Sequence, residues 1–390
     1  MMSDKYLNII LISSDWGDNH RKGLHIELSK KLSVWSETVF IEYPYSVVIH
    51  TLYKFKSRFL KFLHYGMTKN YDPVTVYTPF ILFHDKIWKM SNLAFKIDSF
   101  FLERQISRFV KKNFPEYSVI LWSSSPFHYL FTKKFKHDFL IYDYYDNYSF
   151  NIDGSFNKES DELNMKMIKD SRMILCTAKN MLDRSVTINK NSYYIPNGHN
   201  FDLNKIKNTQ RVKIIENAEI IGYIGNIRDW IDFSLIDKLL KNMRSHQHLV
   251  FVGPVEKNVL PIINKFKNNS NFKHIEKVPY EETWKYIKGF DVGIIPFKIN
   301  KFTEGVLPYK FFEYIACDIP VVSTSLPDLE QYKNIINVSY SDSEFIDFCI
   351  NVRHKLTDIQ LNEYSEIAIN SKWEKRAETI NQLLIKEVLI

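Results

Sequence analysis

Three residues on one predicted helical turn carry the strongest chemical signal in this chain. Pro308, Lys310 and Glu313 stand in the run Pro308-Tyr-Lys310-Phe-Phe-Glu313, after an apolar strand pattern over 292–295 and a loop from 297 to 307. Proline is tolerated at the first position of a helix, where its missing N–H would have no partner anyway, so a helix is predicted over 308–316 with Pro308 at its start. A helix N-terminus at the carboxyl end of a parallel strand presents unpaired N–H groups and the positive end of the helix dipole, which favours an anion. Lys310 adds a cation, and Glu313, about one turn on, can bind a pair of sugar hydroxyls. The three together suit a nucleoside diphosphate. The same spacing also describes an exposed Lys310–Glu313 pair, since residues three apart are neighbours on a helix.

Other candidates lie at strand ends. Gly225, Asn226 and Arg228 follow a predicted strand over 220–224. Glycine lets the backbone approach a ligand closely, and arginine can grip a diphosphate with two parallel hydrogen bonds. Asp232, a little further on, reads as a helix cap. Asn300 and Thr303 occupy the loop before Pro308, where sugar or phosphate oxygens would be expected, although a loop asparagine is commonly a turn residue. In the first half, Asp143 and Asp146 follow a strand within Ile141-Tyr-Asp143-Tyr-Tyr-Asp146-Asn147-Tyr148. A carboxylate walled by tyrosines can have its pKa raised and serve as general base for an acceptor hydroxyl. Asp146 lies further into the loop and is assigned that role; Asp143 is tied to local structure. A solvated loop acid is the alternative for either.

The elements that position these groups alternate between apolar runs and helical patterns in both halves, the signature of α/β domains with parallel sheets. Strands are predicted over 7–12, 38–43, 119–122, 139–142, 173–176 and 193–195, with a helix over 23–32. The second half gives strands over 220–224, 248–252, 272–275, 292–295, 321–323 and 335–338, and helices over 234–243, 261–267, 281–288, 308–316 and 344–355. A polar, turn-rich stretch over 197–216 reads as a linker, and 371–390 reads as one closing helix. Ligands in open parallel sheets bind beyond the carboxyl ends of the strands, so two such domains would face each other across one cleft.

The run from Pro308 through Glu313 to Pro320-Val-Val-Ser-Thr324, together with Gly225, Trp230 and Asp232 in order, resembles the group 1 glycosyl transferases, which adopt the two-domain GT-B fold. The likeness extends from about residue 9 to residue 373 and is closest to bacterial members that build capsule, teichuronic acid or exopolysaccharide chains. It implies an acceptor domain over 1–200, a nucleotide-sugar donor domain over 201–371, and a final helix over 372–390 that crosses back to the first domain. It implies that Val278 and Tyr280 meet the nucleotide base and that Glu313 clamps the ribose. It further implies that the first loop, with Asp18, His20, Arg21 and Lys22, faces the cleft on the acceptor side, and that Ile195-Pro196-Asn197-Gly198 is the hinge. Many members carry a first glutamate seven residues before the second; here that position is Gly305, with Glu304 one residue off register. The implied reaction is sugar transfer from a nucleotide-diphosphate sugar, with no metal and no bound cofactor, and with Arg228 and Lys310 stabilising the leaving diphosphate. A sugar-nucleotide epimerase of the same fold and a non-catalytic subunit of a polysaccharide assembly complex are the rival readings; Gly305 favours the second.

Composition narrows the field. The chain has 390 residues, 45% hydrophobic and 25% charged, enough for two domains with their own cores and unlike a disordered or ordinary membrane-embedded protein. The first apolar run is too short for a signal-peptide core or a membrane span, and Cys176, Cys317 and Cys349 show no paired or metal-type spacing, which fits a reducing cytoplasm. There is no Asp-x-Asp, Gly-x-Gly-x-x-Gly, P-loop or Gly-x-Ser-x-Gly, which argues against a metal-chelating transferase, dinucleotide redox chemistry, phosphoryl transfer and serine hydrolysis. The formal net charge is +7. Over 51–67, Lys54, Arg58 and Lys61 oppose Leu52, Phe55, Phe59, Phe62 and Leu63 on a helical wheel, a pattern that suits either an anionic membrane surface or packing on the domain itself. No recognised nucleic-acid-binding module accompanies the charge.

Overall fold

The computed structural model describes residues 5–11, 24–42, 44–46, 68–71, 73–83, 87, 91–351 and 355–389. The acceptor-side residues Asp18, His20, Arg21 and Lys22 and the basic segment over 51–67 lie outside the described residues.

The first half contains β1 (Tyr6–Leu11), α1 (Leu24–Leu32), β2 (Glu37–Ile41), β3 (Tyr45–Ser46), β4 (Thr68–Tyr71), β5 (Val74–Tyr77), β6 (Phe80–Ile81), α2 (Asn92–Asn113), β7 (Ser118–Ser123), β8 (Phe139–Tyr144), α3 (Lys158–Asp170), β9 (Met173–Cys176), α4 (Lys179–Val186) and β10 (Ser192–Tyr194). Among the described residues, its main sheet has eight strands in the order β10-β9-β8-β7-β1-β2-β5-β4, parallel except for β4, and β3 pairs with β6 separately. Strands such as β1 and β9 are apolar along nearly their whole length because helices cover both faces of the sheet. Two cores result. One packs Ile9, Leu121 and Tyr142 under α2 and α3; the other packs Ile10, Trp122 and Leu175 under α1.

The second half contains β11 (Glu219–Ile224), α5 (Phe233–Asn242), β12 (Gln247–Val252), α6 (Leu260–Phe266), β13 (Phe272–Ile275), α7 (Tyr280–Ile287), β14 (Val292–Ile295), α8 (Tyr309–Ala316), β15 (Val321–Thr324), β16 (Asn337–Ser339), α9 (Asp342–Ile350), α10 (Asp358–Asn370) and α11 (Trp373–Leu384). Its six strands run parallel in the order β13-β12-β11-β14-β15-β16. The strand order reverses between β11 and β14, and such a switch point opens a crevice at the carboxyl ends of the strands. Asp232 caps α5, its carboxylate accepting from the Ser234 and Leu235 N–H groups at 3.0 Å each.

Three expectations are corrected. Pro308 is the residue before the helix rather than its first turn: its ψ of 135° is extended, and α8 begins at Tyr309. The stretch over 197–216 contains a short helix, Leu203–Lys207, capped by Asp202. The closing segment is not one helix to its end, since α11 stops at Leu384 and a single π-helical turn, Ile385–Leu389, follows.

α11 packs on α1 of the first domain. Trp373, Ala377, Ile380 and Leu384 join the core of Leu24, Leu28 and Leu32; Trp35 donates to Asn381 at 2.6 Å and Lys31 pairs with Glu378 at 3.2 Å. At the hinge, the His199 N–H donates to Ser371 O and the Trp373 N–H to His199 O, each at 3.1 Å. Chain crossing and return crossing thus lie side by side.

Candidate functional site

β11 and β14 lead into the two loops that carry the first group of candidate residues. Gly225 follows β11 with φ +127°, a conformation that disfavours any side chain. A Cβ there would sit 2.6 Å from Lys310 Nζ, so the lysine lies directly over the glycine backbone. Lys310 comes from the first turn of α8, and its ammonium group lies 5.0 Å from the Tyr223 ring centroid and 5.7 Å from that of Phe297. The cation is therefore held by two aromatic faces against the glycine turn. Together with the N-terminal dipole end of α8, this makes a positive corner at the carboxyl ends of β11 and β14.

Glu313 stands one turn deeper on α8. Burial raises its pKa, offset in part by the Lys310 charge and a hydrogen bond from Tyr280. Tyr280, at the start of α7, is itself pushed well above the usual phenol range by burial and then by the Glu313 charge. Its ring leans on Phe201 and its hydroxyl accepts from the Asn200 N–H at 3.4 Å, which ties the 197–201 stretch to the start of α7. Val278 is half-buried and packs against the core of the second half. A carboxylate in such surroundings is poised to accept hydrogen bonds from a ligand's hydroxyl pair.

Arg228 is half-exposed, lies over the Trp230 ring at 5.3 Å and faces Glu256 at 3.6 Å. Asn226 is exposed, and its carbonyl accepts from the Tyr223 hydroxyl at 2.9 Å. The loop residues Asn300 and Thr303 are engaged within their own turn. The Asn300 side-chain oxygen accepts from the Phe302 and Thr303 N–H groups at 3.0 Å each, and the Thr303 hydroxyl donates to Lys298 O at 2.6 Å. Their polar atoms shape the loop rather than face an open site.

That loop is stitched to the first domain. Asn147 donates to Lys301 O at 2.9 Å, Asn180 to Glu304 O at 2.7 Å and Asn197 to Leu307 O at 2.6 Å, while Asn300 donates in return to Ile152 O at 3.1 Å. Gly305 sits against the first domain with no room to spare: a Cβ there would meet Asn147 Cβ at 2.7 Å. Glycine at this position has a packing cause.

Across the cleft, the carboxyl end of β8 presents Asp143, which is 5% exposed and bonded to His25 Nε2 at 2.5 Å. Asp146 lies in the following loop. Tyr309, the first residue of α8, is 48% exposed yet packs its ring 5.6 Å from that of Trp373. Its phenol is driven upward by its enclosed surroundings and then by the charges of Asp146, Tyr145, Asp143 and Glu313. Sequence reading passed over Tyr309 and His25; a helix-opening tyrosine between Pro308 and Lys310 was the available signal for the first. Among the described residues, no group of three or more His, Cys, Asp or Glu side chains is placed to hold a metal ion, and no helix is long and apolar enough to cross a membrane.

Residues 204–332 match the family model described as glycosyl transferases group 1. TuaH of Bacillus subtilis (strain 168), whose name assigns it to teichuronic acid biosynthesis as a putative glycosyltransferase, is 26% identical over 244 residues. That stretch is 58% of this chain and 61% of TuaH, so the chain spans less than two thirds of that relative's length. Among solved structures, sucrose-phosphate synthase from Thermosynechococcus elongatus superposes with a TM-score of 0.72 at 9% identity, over 98% of each chain. Anabaena HepE in complex with UDP superposes with a TM-score of 0.62 at 11% identity, over 98% of this chain and 100% of that one. OtsA gives 0.71 at 9% identity, over 97% and 99%. These three share the fold.

Proposed function

We propose, for a chain that is a group 1 glycosyl transferase of the GT-B fold, that it moves a hexose from a nucleotide-diphosphate sugar onto a lipid-linked glycan of a bacterial surface polysaccharide. One observation carries this reading: the Lys310 ammonium group lies over Gly225 at the N-terminus of α8, with the Glu313 carboxylate a turn behind it. A diphosphate seated on that corner would have its charge met by the lysine and the helix N–H groups, and its ribose would reach Glu313. As the bond to the anomeric carbon breaks, the electron pair moves onto the diphosphate, and charge placed there beforehand stabilises the transition state more than the ground state. Arg228 adds to this by turning from Glu256 toward the phosphates. We assign the reaction no metal and no cofactor, since lysine, arginine and helix dipole supply the positive charge. We place it at the inner face of the cytoplasmic membrane, where lipid-linked acceptors are built; the basic aromatic pattern over 51–67 and the name of TuaH support that placement.

The test is transfer of label from sugar nucleotides into a lipid-extractable product, using membranes of a polysaccharide-producing bacterium as acceptor source. Transfer is expected from the wild-type chain, with a loss of about 100-fold or more in Lys310→Ala. Turnover of the donor into an epimer with no transfer would favour the epimerase reading, and no turnover would favour the non-catalytic one.

A further inference from the structure

His274 takes no part in the site described above, yet it lies behind the positive corner. It stands on β13 opposite Phe251 of β12. Its side chain is 2% exposed, and Nε2 stands 2.9 Å from the Gly253 carbonyl oxygen. A carbonyl can only accept, so the hydrogen lies on Nε2. Nδ1 faces the exposed Glu276 carboxylate at 3.6 Å, beyond hydrogen-bond reach. A buried imidazole needs a partner for its N–H, and this one takes a backbone carbonyl at the end of the neighbouring strand.

That carbonyl belongs to a series of close contacts. Gly253 follows β12 directly and has φ +137°, a conformation that disfavours any side chain. It packs against Gly225, the residue that follows β11. A Cβ on Gly253 would overlap the Gly225 carbonyl oxygen and meet the carbonyl carbon at 2.9 Å. Gly225 in turn lies under Lys310, whose Nζ would stand 2.6 Å from a Cβ there. Between imidazole and ammonium there are thus two glycines, with no side chain to absorb a displacement of either backbone. The sheet holds the two glycine N–H groups: Gly225 donates to Val252 O at 2.8 Å and Gly253 to Ile275 O at 2.9 Å. The buried Gly253 carbonyl is left over, and among the described residues no donor but His274 reaches it. β13 also runs on toward Tyr280, which donates to Glu313. The strand that carries His274 therefore supports both polar groups of the corner, Lys310 through the glycines and Glu313 through Tyr280.

We propose that His274 is a positioning residue for the diphosphate. Its bond to Gly253 sets the place of the glycine turn, and so of the Lys310 ammonium group, relative to the strand that leads to Tyr280 and Glu313. No proton moves and no covalent bond changes at His274. Without its N–H, the Gly253 carbonyl is left buried and unpaired, the turn relaxes, and Lys310 loses its seat. This rests on the donor-site reading above.

The test is titration of UDP, GDP and ADP, each beside its own nucleoside, against the wild type, His274→Gln and His274→Leu. For the nucleotide that binds, the ratio of diphosphate to nucleoside affinity reads the corner alone, because base and ribose contacts cancel. Glutamine can place an amide N–H near the Nε2 position, whereas leucine fills the space and offers no donor. The ratio should fall about ten-fold in His274→Leu and stay within about two-fold of wild type in His274→Gln. Lys310→Ala removes the group through which His274 acts, so adding His274→Leu to it should lower the ratio by less than about two-fold further. A His274→Leu ratio like that of the wild type would overturn the assignment, whatever its melting temperature, since a merely structural histidine gives that result. So would a His274→Gln ratio as low as that of His274→Leu, or full additivity with Lys310→Ala. If His274→Leu does not fold, His274→Asn, whose amide falls short of the carbonyl, takes its place with the same expectations. A wild-type chain that binds none of the three diphosphates removes the donor-site reading, and this inference with it.

Discussion

Glu313 and Gly305 set the residue scale, one through its charge and the other through its missing side chain. Burial holds the Glu313 carboxyl above its ordinary range despite Lys310 and Tyr280, so its charged form is unfavourable in the folded chain. The sign of the linkage follows. Any stability this group gives is complete below its unfolded pKa and is lost as pH rises through the raised folded value. Glu313→Gln should therefore be more stable than wild type at neutral pH, and the difference should vanish as pH falls below the ordinary carboxylate range. Thermal unfolding across pH reads this directly; an unchanged difference at low pH would contradict it. For Gly305, the new methyl of Gly305→Ala would press on Asn147, at a cost of about 1–3 kcal/mol for an overpacked contact. Gly305→Ala and Asn147→Gly combined should cost less in urea unfolding than the sum of the two single losses, whereas additive losses would show that the clash is not the cause. The sequence showed Gly305 as a departure from its relatives; only the fold shows the asparagine that requires it.

At the scale of elements, the strands were the most legible feature. Continuous apolar runs such as Met173–Cys176 and Val292–Ile295 coincide with predicted segments, because strands covered on both faces read as unbroken hydrophobic stretches. Asp232 was legible as a cap from purely local cues. The long α2 was missed: the helically spaced stripe of Ala94, Phe95, Leu102 and Ile106 includes the buried polar residues Asp98 and Ser99, which break its apolar pattern. The β4–β5 hairpin was missed as well, since β4 is polar and is held by ladder hydrogen bonds rather than by its own pattern. α11 is the element whose removal should matter most, because it belongs to the core of the domain it crosses to. Trp373→Ala should cost about 3–5 kcal/mol, as expected for a large aromatic deleted from a core. It should also disturb nucleotide binding through Tyr309, whose ring rests on Trp373. A loss below about 1 kcal/mol in urea unfolding would mean the crossing helix contributes little.

The whole molecule is two α/β domains closed on each other by a seam of asparagines. Asn147, Asn180 and Asn197 from one side and Asn300 from the other each donate to a backbone carbonyl across the seam, and three of the four acceptors lie in the 301–307 loop that leads into α8. This seam was illegible in the sequence, because an asparagine in a loop carries no sign of which carbonyl it will meet. The His25–Asp143 pair was hidden for the same reason, since neither residue's neighbours in sequence announce the other. Asn147→Ala with Asn180→Ala removes two of these bonds and should open the cleft, increasing the radius of gyration in small-angle scattering while each domain stays folded. An unchanged radius would mean that these two bonds do not set the closure. The central claim is that the corner formed by Gly225, Lys310 and Glu313 receives a nucleoside diphosphate, and calorimetric titration with UDP, GDP, ADP and CMP in the absence of metal tests it most directly. One nucleotide should bind selectively, and Lys310→Ala and Glu313→Ala should each weaken it by about 10- to 100-fold, the scale of one lost charged hydrogen bond. Binding of none of the four, or binding that both substitutions leave unchanged, would contradict it.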